Sequence, residues 1–412
     1  MKFKSLFIFI IGLLSAFNLL AQTPPVRTLI DMETQSNGAG LRSNESVQMV
    51  HYEIPLDLIS EGKDLNLSPQ LYNSMVFVKN GKKFVRWVIN PEDTKWFKEV
   101  ESFMKSHNLE PIRHSYFKGF QTASRSYIVI DPNNGAQFSI KTSTNHTGGA
   151  WKDKKQDYKD GFDILLISDL MKKIQAQKPF EHTVIMQEPL VFGVKTIDQS
   201  IVIRELADIA TKEDFIYVPG FSILHEETGK QIAKINGSSD PAAYWNEHYV
   251  KPMAHSAAEI VARTGIWYDS PHGQNFLVEL TKDLKPTGRM VLRDLGDIYV
   301  NQQVMQALGE SEVLKKFSTK ENIIKSLNVS FGPLHGNVVP SWINQTIYNS
   351  WAKEFYSVFK ADYFQSTGIT IKNFRESSGF SYFGLSVDTH SKSFEDYKLK
   401  LSAPKLCLSL FR

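Results

Sequence analysis

SPHGQNFLVEL (residues 270–280) and RMVLRDLGD (289–297), joined by a turn at Lys285-Pro-Thr-Gly288, are two apolar runs with polar ends. They read as the arms of a hairpin. The pairing returns Arg293 and Asp294 to the side of His272, Gln274 and Asn275. Such a unit can set an amide and a carboxylate around one divalent metal and aim an imidazole at phosphate, as nucleotide-dependent enzymes require. The same residues also fit a plain polar hairpin whose His, Gln and Asn satisfy turn backbone groups.

Working outward, AAYWNEHYVKPMAHSAAEIVARTG (242–265) has helical spacing, and the turn-rich Asn236–Pro241 before it sets a lobe boundary near residue 240. Upstream, the stretch from about 182 to 206 alternates like strands, and DGFDILLISDLMKKIQA (160–176) is an amphipathic helix. SRSYIVIDPNNGAQFSIKTST (124–144) is two strands around Asp131–Gly135. EDTKWFKEVESFMKSHNL (92–109) puts Trp96, Val100 and Phe103 on one helix face, and residues 75–89 form a hairpin turning at Asn80-Gly81. Residues 22–48 are polar with two prolines and read as a flexible leader; beyond residue 300 the sequence reads as helical to about 363, anchored by Trp342, Trp351 and Phe355. The expected class is α+β: a fingers-like lobe over 49–240, then a helix-rich, palm-like lobe over 241–412 carrying the hairpin.

Composition narrows the function. The 412 residues are 42% apolar and 22% charged, so the chain has material for a large core. Lys+Arg 47 against Asp+Glu 44 gives a net charge of +3, too dispersed to argue for nucleic acid. The single cysteine, Cys407, excludes an intramolecular disulfide framework and multi-cysteine metal sites. Lys2 and Lys4 precede an apolar run from Leu6 to about Ala21, the layout of a secretory signal cleaved after Ala21. The mature protein is therefore expected to be secreted or periplasmic, with no membrane segment beyond the signal.

HGQN followed by VLRDLGD resembles the signature of the NRPS-independent siderophore synthetases of the aerobactin synthetase type, in which a His-x-Gln-Asn loop and an Arg-Asp dipeptide hold ATP and magnesium. ARTGIWYDSPHGQN looks like that family's helix running into its loop, and VIMQEPLVFGV with IVIRELAD resembles its paired strands. Ala123-Ser-Arg125 and Phe138-Ser-Ile-Lys141, with Thr147 and Lys152 beyond, look like its Ser/Arg strand, strand lysine and trailing basic residue.

The resemblance implies a two-lobed arrangement with a kinase-like nucleotide cleft and an ATP-dependent adenylate-forming ligase. A carboxylate would attack the α-phosphorus, releasing pyrophosphate, and an amine or alcohol would then displace AMP. By the same resemblance Arg125 and Lys141 contact the phosphates, His272 faces the α-phosphate, and Lys152, Gln274, Asn275 and Arg293 line the nucleotide site. Asp294 would ligate Mg2+. The family carries a glutamate two residues before the loop histidine; this chain has Ser270 there, with Asp269 as the candidate replacement. Expected partners are small-molecule carboxylate and amine or alcohol substrates, with a homodimer left open. Two other readings stand beside this one. A kinase-like phosphotransferase would use Lys141, Asn275 and Asp294 but lacks a glycine-rich phosphate loop, and a non-catalytic nucleotide- or metabolite-binding module fits Ser270 and the export signal.

Overall fold

The computed structural model describes residues 24–36, 46–122, 125–146, 153–268, 271–296, 298–317, 319–320, 326–332, 340–371 and 375–378. The predicted signal segment, Thr147, Lys152, Asp269 and Ser270 lie outside these residues.

The larger part of the β-structure is one sheet of nine strands: β1 (Val47–Pro55), β2 (Ser60–Lys63), β3 (Val76–Lys79), β4 (Lys82–Ile89), β5 (Arg113–Gln121), β6 (Ser126–Ile130), β7 (Gln137–Lys141), β9 (Leu190–Val194) and β10 (Gln199–Glu205). Its order is β2-β9-β10-β7-β6-β5-β1-β4-β3, and every neighbouring pair is antiparallel. The β3–β4 turn is the predicted Asn80-Gly81, with φ of 52° and 76°, left-handed values that a two-residue hairpin turn demands. A second sheet runs β11 (Phe215–Pro219), β13 (Phe276–Thr281), β14 (Pro286–Leu292) and β8 (Thr183–Ile185), with β8 parallel to β14. β12 (Ile266–Tyr268) pairs with β15 (Ile298–Asn301) beside it. The fold is mixed α+β.

The longer helices are α1 (Pro25–Ser36), α2 (Phe97–Ser106), α3 (Tyr158–Gln177), α4 (Lys251–Thr264) and α5 (Gln345–Thr367). Val100 and Phe103 of α2 enter the core of the nine-stranded sheet, while Trp96 stays half-exposed at its start. α3 is the connecting element: Ile164, Ile167 and Met171 share a core with Val191 and Val202 of the large sheet and with Leu292 and Leu295 at the end of the hairpin. Asp157 caps α3 by accepting the Asp160 amide hydrogen at 2.6 Å. The helix predicted over 242–265 carries a π-turn at Asn246–Val250, just ahead of Pro252, which has no N–H to give the ladder.

Three expectations change. Residues 25–36 form α1 rather than an extended leader, because Val26, Leu29, Ile30 and Glu33 repeat at three- and four-residue spacing and Pro25 occupies the first turn, where its missing N–H costs nothing. Val26, Leu29 and Ile30 pack with Ile128 of β6, Tyr217 of β11, Leu277 of β13 and Val291 of β14, so α1 plugs the junction of the two sheets. The hairpin turn sits at 282–285, with Leu284 at φ 61°, rather than at 285–288; Gly288, at φ 85°, lies inside β14 where the ladder slips by two residues, Val278 pairing with Met290 but Leu280 with Pro286. The segment after residue 300 is not helical throughout, since Ser326–Val329 is a strand. Among the described residues no helix is long and apolar enough to cross a membrane.

Candidate nucleotide site

Strand periodicity aims the first half of the site. Phe138 and Ile140 of β7, with Ile201 and Ile203 of β10, enter the core on one face of the large sheet. Lys141 and Arg204 therefore point to the other face, where Lys141 stands opposite Val202 and Arg204 opposite Ser139. Arg125 precedes β6 and donates from its Nη1 to the Lys155 carbonyl at 2.5 Å.

The hairpin supplies the second half. Phe276 pairs with Leu292, and one residue further the Arg293 amide donates to the Asn275 carbonyl at 3.1 Å, so the two ends meet as the sequence predicted. The His272 loop is pinned from behind: Gly273 N–H donates to Ser330 O and Ser330 N–H to Pro271 O, each at 2.9 Å. A Cβ on Gly273 would lie 2.6 Å from both the Phe331 carbonyl and the Tyr249 hydroxyl, so only glycine fits there.

The two halves line one cavity of about 380 Å³, inside the range of small-molecule sites. Arg125, Lys141, His272, Gln274, Asn275, Arg293 and Asp294 all contribute to its wall. Lys141 and Asp294 meet directly in that wall: Lys141 Nζ donates to Asp294 Oδ1 at 2.7 Å, and Arg204 Nη2 lies 3.5 Å from the same oxygen. Burial alone would raise the Asp294 pKa. Lys141, Arg204 and Arg125 reverse that and hold the carboxyl well below the usual range, so it is ionised. Asp294 also has φ 66°, a left-handed conformation uncommon outside glycine.

His272 differs in charge from the lysines and arginines that share this wall. Burial, with Lys154 and Arg293 nearby and Asp294 opposing them, lowers its pKa to about 4, so the ring is neutral at pH 7. Its Nδ1 accepts the Gln274 amide hydrogen at 3.3 Å, which puts the ring proton on Nε2, beside the Asn275 side chain. The ring can offer a hydrogen bond to an anion but brings no charge of its own.

Sequence reasoning missed several residues. Arg204 appeared in it only as part of a strand, yet Arg204 donates to Glu188 Oε1 from Nε at 3.1 Å and Nη2 at 2.7 Å while facing Asp294. Lys154 and Lys155, just beyond the predicted Lys152, line the cavity, as do Asp153, Asp157 and Asp160. The signal for Arg204 was available in β10, where Ile201 and Ile203 alternate with Val202 and Arg204. The partnership of Glu33 with Arg293 spans 260 residues and has no local signal.

Six cationic side chains around the cavity suit a polyphosphate. For magnesium the fit is narrower. Among the described residues no group of three or more His, Cys, Asp or Glu side chains is arranged to hold a metal. Mg2+ commonly takes one or two protein carboxylates and fills its shell with phosphate oxygens and water, and Asp294 is a single carboxylate of the kind that mode needs.

No protein-family model matches the chain, and no curated protein matches it. The solved structure of aerobactin synthetase IucC from a hypervirulent pathotype of Klebsiella pneumoniae aligns at a TM-score of 0.53 and 14% identity, over 77% of this chain and 61% of that one. ATP-bound aerobactin synthetase IucA from a hypervirulent pathotype of the same species aligns at 0.45 and 13%, over 66% and 54%. The petrobactin biosynthesis protein AsbB of Bacillus anthracis str. Sterne aligns at 0.45 and 12%, over 66% and 49%. The likeness to IucC, at that identity, is one of fold. The chain spans less than two thirds of the length of each of these solved chains.

Proposed function

We propose that this protein is an exported ATP-dependent ligase that activates a carboxylate as its adenylate and condenses it with an amine or alcohol, in the manner of the siderophore synthetases it resembles, through a two-lobed fingers and palm arrangement. The observation that carries the reading is the convergence of Lys141 and Arg204 from the large sheet, and Arg125 just before β6, with His272, Gln274, Asn275 and Asp294 from the ends of the hairpin on one polar cavity. The fold likeness to IucC supports it.

In this reading Lys141 and Arg125 bind the phosphates and neutralise charge that develops on the α-phosphoryl oxygens. His272 donates its Nε2 proton to a phosphoryl oxygen. Asp294, with the nucleotide's own phosphates, would hold Mg2+, which would supply further charge neutralisation. Arg293, whose Nε donates to Gln274 O at 2.9 Å, keeps the loop in place.

The test is ATP–pyrophosphate exchange by the mature protein with citrate and other di- and tricarboxylates, run beside direct MgATP binding. Carboxylate-dependent exchange supports the ligase. Binding without exchange assigns a nucleotide-binding module, label transferred from the γ-phosphate assigns a phosphotransferase, and absence of binding removes the reading altogether.

A further inference from the structure

We propose that Glu33 and Glu188 are positioning residues of this cavity, clamping the Arg293–Leu295 turn from two sides and so holding the Asp294 carboxylate against Lys141. Both side chains are fully buried, and neither forms part of the cavity wall. Glu188 Oε1 takes both hydrogen bonds from Arg204, and its Oε2 accepts the Leu295 amide hydrogen at 2.9 Å. Its own amide is held by Ser168 Oγ at 2.8 Å. Glu33, from α1, pairs with Arg293, whose Nε and backbone amide donate to the carbonyls of Gln274 and Asn275 at 2.9 and 3.1 Å.

Between these two anchors sits Asp294 at φ 66°. A non-glycine residue stays in that conformation only where its surroundings over-determine it. Buried ion pairs are weak sources of stability compared with apolar packing, so two of them converging on one strained residue point to geometry as their purpose. Electrostatics gives the consequence of losing either. Arg204 already lies 3.5 Å from Asp294, and without Glu188 it would turn wholly to that carboxylate and draw it from Lys141. Without Glu33, Arg293 loses its buried counter-ion and the turn loses its tie to the His272 loop. The identity of the ligand rests on the nucleotide reading above; the clamp itself does not.

The experiment compares Glu188→Gln and Glu33→Gln with Glu279→Gln, which removes the charge of another buried glutamate, paired with the partly exposed Arg289 on the hairpin and away from the cavity. Lys141 labelling by an amine-reactive reagent at neutral pH is followed by peptide mass spectrometry, and MgATP affinity is titrated on the same proteins. We expect Lys141 labelling to rise about tenfold in the first two variants, the equivalent of losing one hydrogen bond to a charged group, and to stay at the parent rate in the control. MgATP affinity should fall by a similar factor in the first two alone. If either Gln variant fails to fold, Glu188→Asp and Glu33→Asp, which keep the charge on a shorter arm, carry the comparison. Labelling in the clamp variants that matches Glu279→Gln overturns the proposal. A parent that binds no MgATP removes the nucleotide reading, and the labelling arm still decides the clamp.

Discussion

Lys141 and Asp294 are 153 residues apart in sequence and joined by a 2.7 Å hydrogen bond. That contact sews the large sheet to the hairpin across the floor of the cavity. It also sets the terms on which an anion enters. Any phosphate bound by Lys141 must share the ammonium with Asp294, unless a cation held by that carboxylate would offset its charge.

Lys141→Met should therefore separate binding from folding. The methionine fills a similar volume, and Asp294 keeps Arg204 as a counter-ion at 3.5 Å. MgATP affinity is expected to fall about a hundredfold, the scale of removing a charge-assisted hydrogen bond worth roughly 1.5–3 kcal/mol, with circular dichroism unchanged. Unaltered affinity measured by calorimetry would take Lys141 out of the site.

Acid should weaken the fold in a window set by buried histidines. His272 has its pKa lowered to about 4 from 6.5, so between those values the unfolded chain takes up a proton that the folded chain refuses. Stability is then full above about 6.5 and declines as pH falls toward 4, by roughly 3 kcal/mol for a shift of this size. His51, lowered to about 4 chiefly by its burial and then by Arg86, acts in the same direction. His272→Asn should remove only the first contribution, flattening the slope of unfolding free energy between pH 7 and 4.5. A bound polyanion should flatten it too, because it favours the protonated ring. Identical slopes in parent and variant would show that His272 does not titrate in this range.

Gly273→Ala tests the loop without touching charge. The added methyl meets the Phe331 carbonyl and the Tyr249 hydroxyl at 2.6 Å, and the carbonyl cannot move without breaking the backbone bonds that tie the loop to Ser330. We expect a loss of about 2–3 kcal/mol, in the range for overpacking, together with nucleotide affinity that falls further than in a surface control. A variant as stable as its parent would mean that the loop has slack the contacts do not show.

What the sequence made legible follows the range of the interactions. The hairpin over 276–292 could be read because two apolar runs and their polar ends are local, and closing it necessarily brings Arg293 and Asp294 to Asn275. Lys141 was readable through its strand. Glu188, Glu33 and the left-handed Asp294 were not, since a buried glutamate looks like a surface glutamate until its arginine is placed, and φ at a single aspartate depends on what grips the residues beside it. The pairing of β8 with β14 is equally invisible, because a parallel contact between distant segments leaves no turn in the chain.

The α1 segment shows the same limit in apolar form, and it yields the last test. Its Pro-Pro start and polar ends argue for a leader, while Val26, Leu29 and Ile30 carry helical spacing that only a partner surface can exploit. That surface is built from Ile128, Tyr217, Leu277 and Val291, contributed by strands more than 90 residues downstream of α1. Leu29 is fully buried among them, so Leu29→Ala should destabilise the protein by about 2–4 kcal/mol through lost transfer energy and the cavity left behind. Because Glu33 lies one helical turn further along and pairs with Arg293, the same substitution should loosen the hairpin end and weaken nucleotide binding as well. A leader would tolerate the change. A melting temperature and affinity equal to the parent's would return residues 25–36 to that reading and detach α1 from the site.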